Sequence, residues 1–195
     1  TAVQTLKDHP LMGLFPATVV SSDGRVIAKH SGMGLGDSEA EDDNNAIWAQ
    51  MIRHHSIIIA LTVQGSILPA LEVLLQEHRL HGNDFTGLCM QSPIVPKDRA
   101  QLWGKALYAG YDSDFVTAIH LLSPQIENMV RVHLKAAGAK TTNLSQDGIE
   151  TENGLSTLMD MPEIDKVLSA DIAFEIRALF CNPFGSNLRN VVSHG

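Results

Sequence analysis

The chain has 195 residues, with 14 Lys+Arg against 22 Asp+Glu and a formal net charge of −8. With 44 % apolar and 18 % charged residues, it has the composition and length of a globular protein that can bury its own core. The acidic balance excludes an extended nucleic-acid-coating surface, which needs clustered Lys and Arg, but allows a small cleft that grips one or two phosphates.

Cys89 and Cys181 form no CxxC or framework spacing and read as reduced, buried thiols of a cytoplasmic protein. No signal peptide is visible, and the chain opens on Thr1 rather than Met, so it is read as a piece of a longer protein. Residues 17–29, ATVVSSDGRVIAK, are two β-rich runs around a Gly24 turn and predict a hairpin. Gly32-x-Gly34-x-Gly36 follows. Its spacing matches no nucleotide loop, and Glu39, Glu41, Asp42 and Asp43 just after it would repel phosphate, so it reads as a hinge. The expected organisation is a hairpin arm and hinge over 1–36 and an α-helical domain over 37–195, one compact unit overall.

Asp37 or Ser38 is expected to cap a long helical stretch. Within it, Ala46–Leu61 and Ser66–Leu80 are predicted as a buried helix pair joined near Gly65. The uncharged run Ser56–Leu71 is read as too short to span a membrane and interrupted by Gly65 and Pro69. A short turn is expected near Asp84, a loop at Pro93 and Pro96, and a helix over 97–109. Phe115, Ile119, Leu122, Ile126, Val130 and Leu134 recur at helical spacing, behind a cap at Asp112 or Ser113. Pro124 should kink that helix and Gly138 should end it. Residues 139–154 read as a loop with a small hairpin. One helix is expected from Asp160-Met-Pro-Glu163 to Cys181, stopped by Asn182-Pro183, and then a last helix capped by Ser186.

Arg53-His54-His55 and His78-Arg79-x-His81 supply no complete ligand set at zinc spacing and read as surface or half-buried histidines, so no metal or cofactor is expected. Glu127 and Arg131 stand four apart, as a helix-stabilising pair or as part of a cleft. The last helix, Leu188-Arg-Asn-Val-Val-Ser-His, is the most informative segment. At about 100° per residue, Leu188, Val191 and Val192 share a packing arc, while Arg189, Asn190, Ser193 and His194 share the other. Arginine grips phosphate through a planar fork, and histidine exchanges protons near neutral pH. Those groups suit metal-free phosphodiester cleavage in RNA. Spacing alone is weak evidence, since Arg25 and His30 repeat it within the predicted hairpin and its exit.

The segment Asn187-Leu-Arg-Asn-Val-Val-Ser-His-Gly195 resembles the R-(polar)-x-x-x-H signature of the HEPN superfamily of nucleotide-binding domains. With His120-Leu-Leu-Ser-Pro-Gln-Ile-Glu-Asn-Met-Val-Arg131 and Phe184-Gly-Ser-Asn-Leu-Arg-Asn190, it resembles the domain-of-unknown-function 4209 branch over about 112–195. The resemblance implies a mainly α, HEPN-like helical bundle with a small N-terminal β-hairpin. It implies a metal-independent endoribonuclease, acting in defence or stress response, that leaves a 2′,3′-cyclic phosphate. Carried onto this chain, Arg189 would hold the scissile phosphate and His194 would move the proton. Asn190 would orient one of the two, and Glu127 would be the supporting carboxylate. The implied partners are RNA or a nucleotide, a second copy of the chain, and an antitoxin or further domains of the full-length protein; no membrane is implied. The alternative is a non-catalytic helical module that dimerises or binds a nucleotide or protein.

Overall fold

The computed structural model describes residues 17–20, 24–30, 40–145 and 147–194. The Gly32–Gly36 hinge and the Asp37 or Ser38 cap lie outside the described residues. Strands β1 (Ala17–Val20) and β2 (Val26–His30) pair antiparallel, with Ala17 opposite His30 and a register irregularity at Val19/Val20. Gly24 takes φ +83°, the left-handed position the turn demands.

The expected buried helix pair is instead one continuous rod. Helix α1 (Ala40–Thr62) runs through a π-helical turn (Val63–Ile67) straight into α2 (Leu68–Glu77). The cause is Pro69, which lacks an N–H and would press its ring against the carbonyl four residues back. A π turn, with the Leu68 N–H reaching the Val63 carbonyl, absorbs one extra residue and lets the helix continue through Gly65. Nor is the rod buried: between Ser56 and Glu77 no residue is buried, and Leu61 is 69 % exposed.

Ile47–Glu77 is thus long and apolar enough to cross a membrane by length and composition, contrary to the reading of Ser56–Leu71 as too short. His55 and His78, which flank its uncovered stretch, each touch another helix. The His55 ring meets Phe174 edge-on at 5.2 Å, and the Tyr111 hydroxyl donates to the His78 carbonyl at 2.7 Å.

Helix α3 (Gly82–Gln91) is a full helix where only a turn was expected. His81 and Asp84 close it reciprocally, the Asp84 carboxylate accepting the His81 N–H at 2.7 Å. It packs on α4 (Ala100–Tyr111), which enters through a 3₁₀ turn (Lys97–Arg99), and α4 packs on α5 (Phe115–Ala136). The cap of α5 is Asp114, not Asp112 or Ser113, because Ser113 takes φ +65° and turns the chain first. The Asp114 carboxylate accepts the Thr117 N–H at 3.0 Å, and hydrogen bonding from the Thr117 side chain, foremost, and from that N–H holds its pKa below the ordinary aspartate value. Helix α5 continues through Pro124 and ends before Gly138, at φ +88°.

Strands β3 (Thr142–Leu144) and β4 (Glu150–Glu152) form the expected small hairpin. The single helix expected from Asp160 to Cys181 is two pieces, α7 (Ile164–Val167) and α8 (Ala170–Ile176), the latter extended by a π turn (Arg177–Cys181), and a further short helix, α6 (Leu155–Met159), precedes them. Ser169 starts α8 anew by accepting the Ile172 N–H, so a local cap ends what apolar spacing alone would continue.

The main core joins Met129, Val130 and Leu134 of α5 to Leu155, Leu158 and Met159 of α6 and to Ile176 of α8. Each such side chain, fully buried, contributes roughly 1.5–3 kcal/mol. Trp103 and Leu188 pack against this cluster and tie α4 and the last helix, α9 (Leu188–His194), to it. The approach of α9 depends on Gly185: a Cβ there would collide with the Ala178 carbonyl. Ser186 precedes the helix by one residue too many to cap it. Asn187 stands there instead, at φ +46°, its carbonyl accepting the Asn190 N–H at 3.0 Å.

Candidate active site

Helical spacing puts Glu127, Arg131 and Lys135 on one stripe of α5. The β3–β4 hairpin folds over it. Its base is pinned by two buried polar residues: the Asn153 N–H donates to the Thr141 carbonyl at 2.9 Å, and the Asn143 amide donates to the Asn153 side chain at 2.5 Å. That placement delivers Glu152 and the Asn153 carbonyl to the α5 stripe. Arg131 Nη2 donates to Glu127 Oε1 at 2.7 Å and to the Asn153 carbonyl at 2.8 Å. Glu152 stands 3.1 Å from Arg131 Nε and accepts from Lys135 Nζ at 2.6 Å. The Arg131 Nε approach is an ion pair by distance without hydrogen-bond alignment. The Lys135 hydrogen bond, foremost, holds the Glu152 carboxyl below its ordinary pKa.

Arg189 closes the row. Its Nε lies 3.8 Å from Glu127 Oε2, which also accepts the Leu155 N–H at 2.9 Å. A Cβ on residue 154 would lie 2.7 Å from Arg189 Nη2, so glycine there leaves room for the guanidinium. Charges therefore alternate along Lys135, Glu152, Arg131, Glu127 and Arg189. Arg131 is held at 14 % side-chain exposure, whereas Arg189 keeps 39 %. Both Glu127 oxygens are engaged by donors, so this carboxylate is built to hold and aim Arg189 rather than to shuttle a proton.

The four sequence-predicted residues fare differently. Glu127 and Arg189 are brought together. Asn190 is on α9 and exposed, with Ser193 also exposed. His194 is the last residue of α9, and its side chain lies outside the described residues. The packing arc is narrower than expected: Leu188 joins the core and Val192 is half-buried, but Val191 is 58 % exposed.

Sequence reasoning missed Glu152, Asn153 and Lys135, whose roles depend on the hairpin folding back over α5. It also missed an open cavity of about 450 Å³ beside the row, lined by Trp48, Ser156, Asp160, Arg177, Cys181 and Asn182 among others. Cys181 sits in its wall, and burial pushes its thiol above the ordinary pKa against smaller opposing effects of Ser156 and Arg189. Cys89 is buried in a satellite cluster with Val95 and Ala100. Both cysteines are free. Among the described residues no three His, Cys, Asp or Glu stand together as a metal would require. His55 instead packs on Phe174, 3.6 Å from Glu175, and His81 caps α3.

No family model matches the chain, and neither a curated protein nor a solved structure matches it.

Proposed function

We propose that the protein is a metal-independent RNA endonuclease of the HEPN type, acting in the cytoplasm as a homodimer. The observation that carries this reading is the half-exposed Arg189 guanidinium, aimed by Glu127 and followed on its helix by Asn190 and His194. Arg189 binds the scissile phosphate and stabilises the charge that builds on its non-bridging oxygens. The ribose 2′-oxygen attacks phosphorus, the 5′-oxygen of the next nucleotide leaves, and a 2′,3′-cyclic phosphate remains. His194 takes the 2′-hydroxyl proton or supplies one to the leaving oxygen. Asn190 orients a reacting group by hydrogen bonding. The exposed Val191 beside this polar arc supports a two-fold contact near 185–195, which light scattering tests as a dimer at micromolar concentration.

The deciding experiment is incubation with mixed cellular RNA in EDTA. Cleavage persists under chelation, and His194→Ala lowers turnover by roughly 10²–10⁴-fold with binding nearly intact. Loss of cleavage in EDTA with rescue by one divalent ion, or unchanged cutting by His194→Ala, sinks the reading. The second reading, a non-catalytic dimerisation or protein-binding module, is favoured by the exposed apolar rod, where Ile57, Ile58, Leu61 and Ile67 face solvent.

A further inference from the structure

The cavity beside Arg189 has the size of a small-molecule site, within the roughly 300–1,000 Å³ range such sites span. Its position is tied to the phosphate-binding candidate. Ser156 lines it, one residue after Leu155, whose N–H binds the carboxylate that holds Arg189. The Arg189 guanidinium lies against Gly154, two residues before Ser156. A phosphate on Arg189 would therefore carry its nucleoside to the mouth of this cavity.

The lining supplies an aromatic surface and a particular set of polar atoms. Trp48 meets Phe174 at 5.3 Å and 88°, an edge-to-face contact. Trp48 also lines the cavity and so offers its indole to a base there. Asp160 is exposed, and its carboxylate can only accept. The Asn182 side-chain oxygen already accepts the Phe184 N–H at 2.9 Å, so its amide nitrogen remains as the donor. Arg177 spends one nitrogen on the Met159 carbonyl and brings further N–H groups.

One acceptor-only carboxylate beside two donors is a selective combination. Guanine presents adjacent N1–H and N2–H donors on one edge, and O6 and N7 acceptors on the next. Adenine and cytosine place a ring-nitrogen acceptor beside their amino group, which a carboxylate repels. Uracil flanks its single N–H with two carbonyls. We infer that this cavity is a guanine subsite, taking the base of the nucleotide whose phosphate rests on Arg189. Asp160 accepts from N1 and N2, Asn182 and Arg177 donate to O6 and N7, and Trp48 stacks. The inference rests on the endonuclease reading for the phosphate, but the base recognition can be measured without any cleavage.

The test is equilibrium dialysis of the whole chain against each of the four nucleoside monophosphates, with mapping of RNA cut sites in parallel. Guanosine monophosphate binds at least about tenfold tighter than the other three, the scale of one bidentate base contact. Asp160→Asn, at an exposed position, removes that preference in nucleotide binding. Trp48→Phe retains the preference with weaker binding for all four. Equal affinity for the four nucleotides, or a guanine preference unchanged in Asp160→Asn, overturns the subsite. Guanosine monophosphate selectivity without RNA cleavage supports the subsite and defeats the endonuclease reading. RNA cleavage with no guanine preference in binding or at cut sites does the reverse.

Discussion

Helix α5, of 22 residues, and the Ser56–Glu77 stretch of the N-terminal rod are comparably long runs of mostly apolar helix, yet they end in opposite environments. Helix α5 buries Ala118, Met129, Val130 and Leu134 and keeps a charged stripe for the site. The rod from Ser56 to Glu77 buries nothing, and its apolar side chains face outward on several sides. The difference is periodicity. Helix α5 alternates an apolar face with Glu127, Arg131 and Lys135, so its own sequence says which side meets the core. The rod carries Ile and Leu all round, so its sequence states an aversion to water but no direction. Hydropathy alone does not tell a packed helix from a bare one.

The largest effect that sharpens this contrast comes from paired truncations. Leu134→Ala, at 0 % exposure in α5, destabilises by about 2–5 kcal/mol in denaturant unfolding. Leu61→Ala, at 69 % exposure in the rod, changes stability by less than about 0.5 kcal/mol. Comparable losses from both would mean that the rod is covered in solution, and the contrast collapses.

A smaller effect of opposite sign is expected at Gly65. A Cβ there meets nothing within 4 Å, so Gly65→Ala should raise stability by about 0.5–1 kcal/mol through lower backbone entropy in the unfolded chain. A drop in melting temperature instead would reveal a neighbour pressed against that position.

The smallest effect lies on the α5 side. The folded pKa of Glu152 is below its unfolded value, chiefly through the Lys135 hydrogen bond. Its stabilising contribution is therefore complete above the unfolded glutamate pKa, about 4.3, and is lost as pH falls through the lower folded value. Glu152→Gln should flatten that part of the acid limb in a melting-temperature series and leave neutral-pH behaviour of the rod unchanged. An identical acid limb in wild type and variant would show that the hairpin does not dock on α5.

Much was legible where the signal is local. The hairpin around Gly24, the 3.6-residue period of α5, its end at Gly138, the stop at Asn182-Pro183 and the existence of α9 each follow from a few neighbouring residues. Local chemistry also decides the proposed roles of Arg189, Asn190 and His194, because residue type and helical spacing set what each can donate or accept. Three outcomes were decided only in three dimensions. The rod passes through Gly65 because a π turn relieves Pro69, an adjustment with no sequence period of its own. Glu152 and Asn153 reach Arg131 because a hairpin folds back over α5, a contact between residues about twenty apart. And the cavity joins Trp48 to Asn182 across about two thirds of the chain, since packing Phe174 against Trp48 of α1 is what brings those two segments together. Spacing specifies which face a side chain occupies; only packing specifies what stands opposite it.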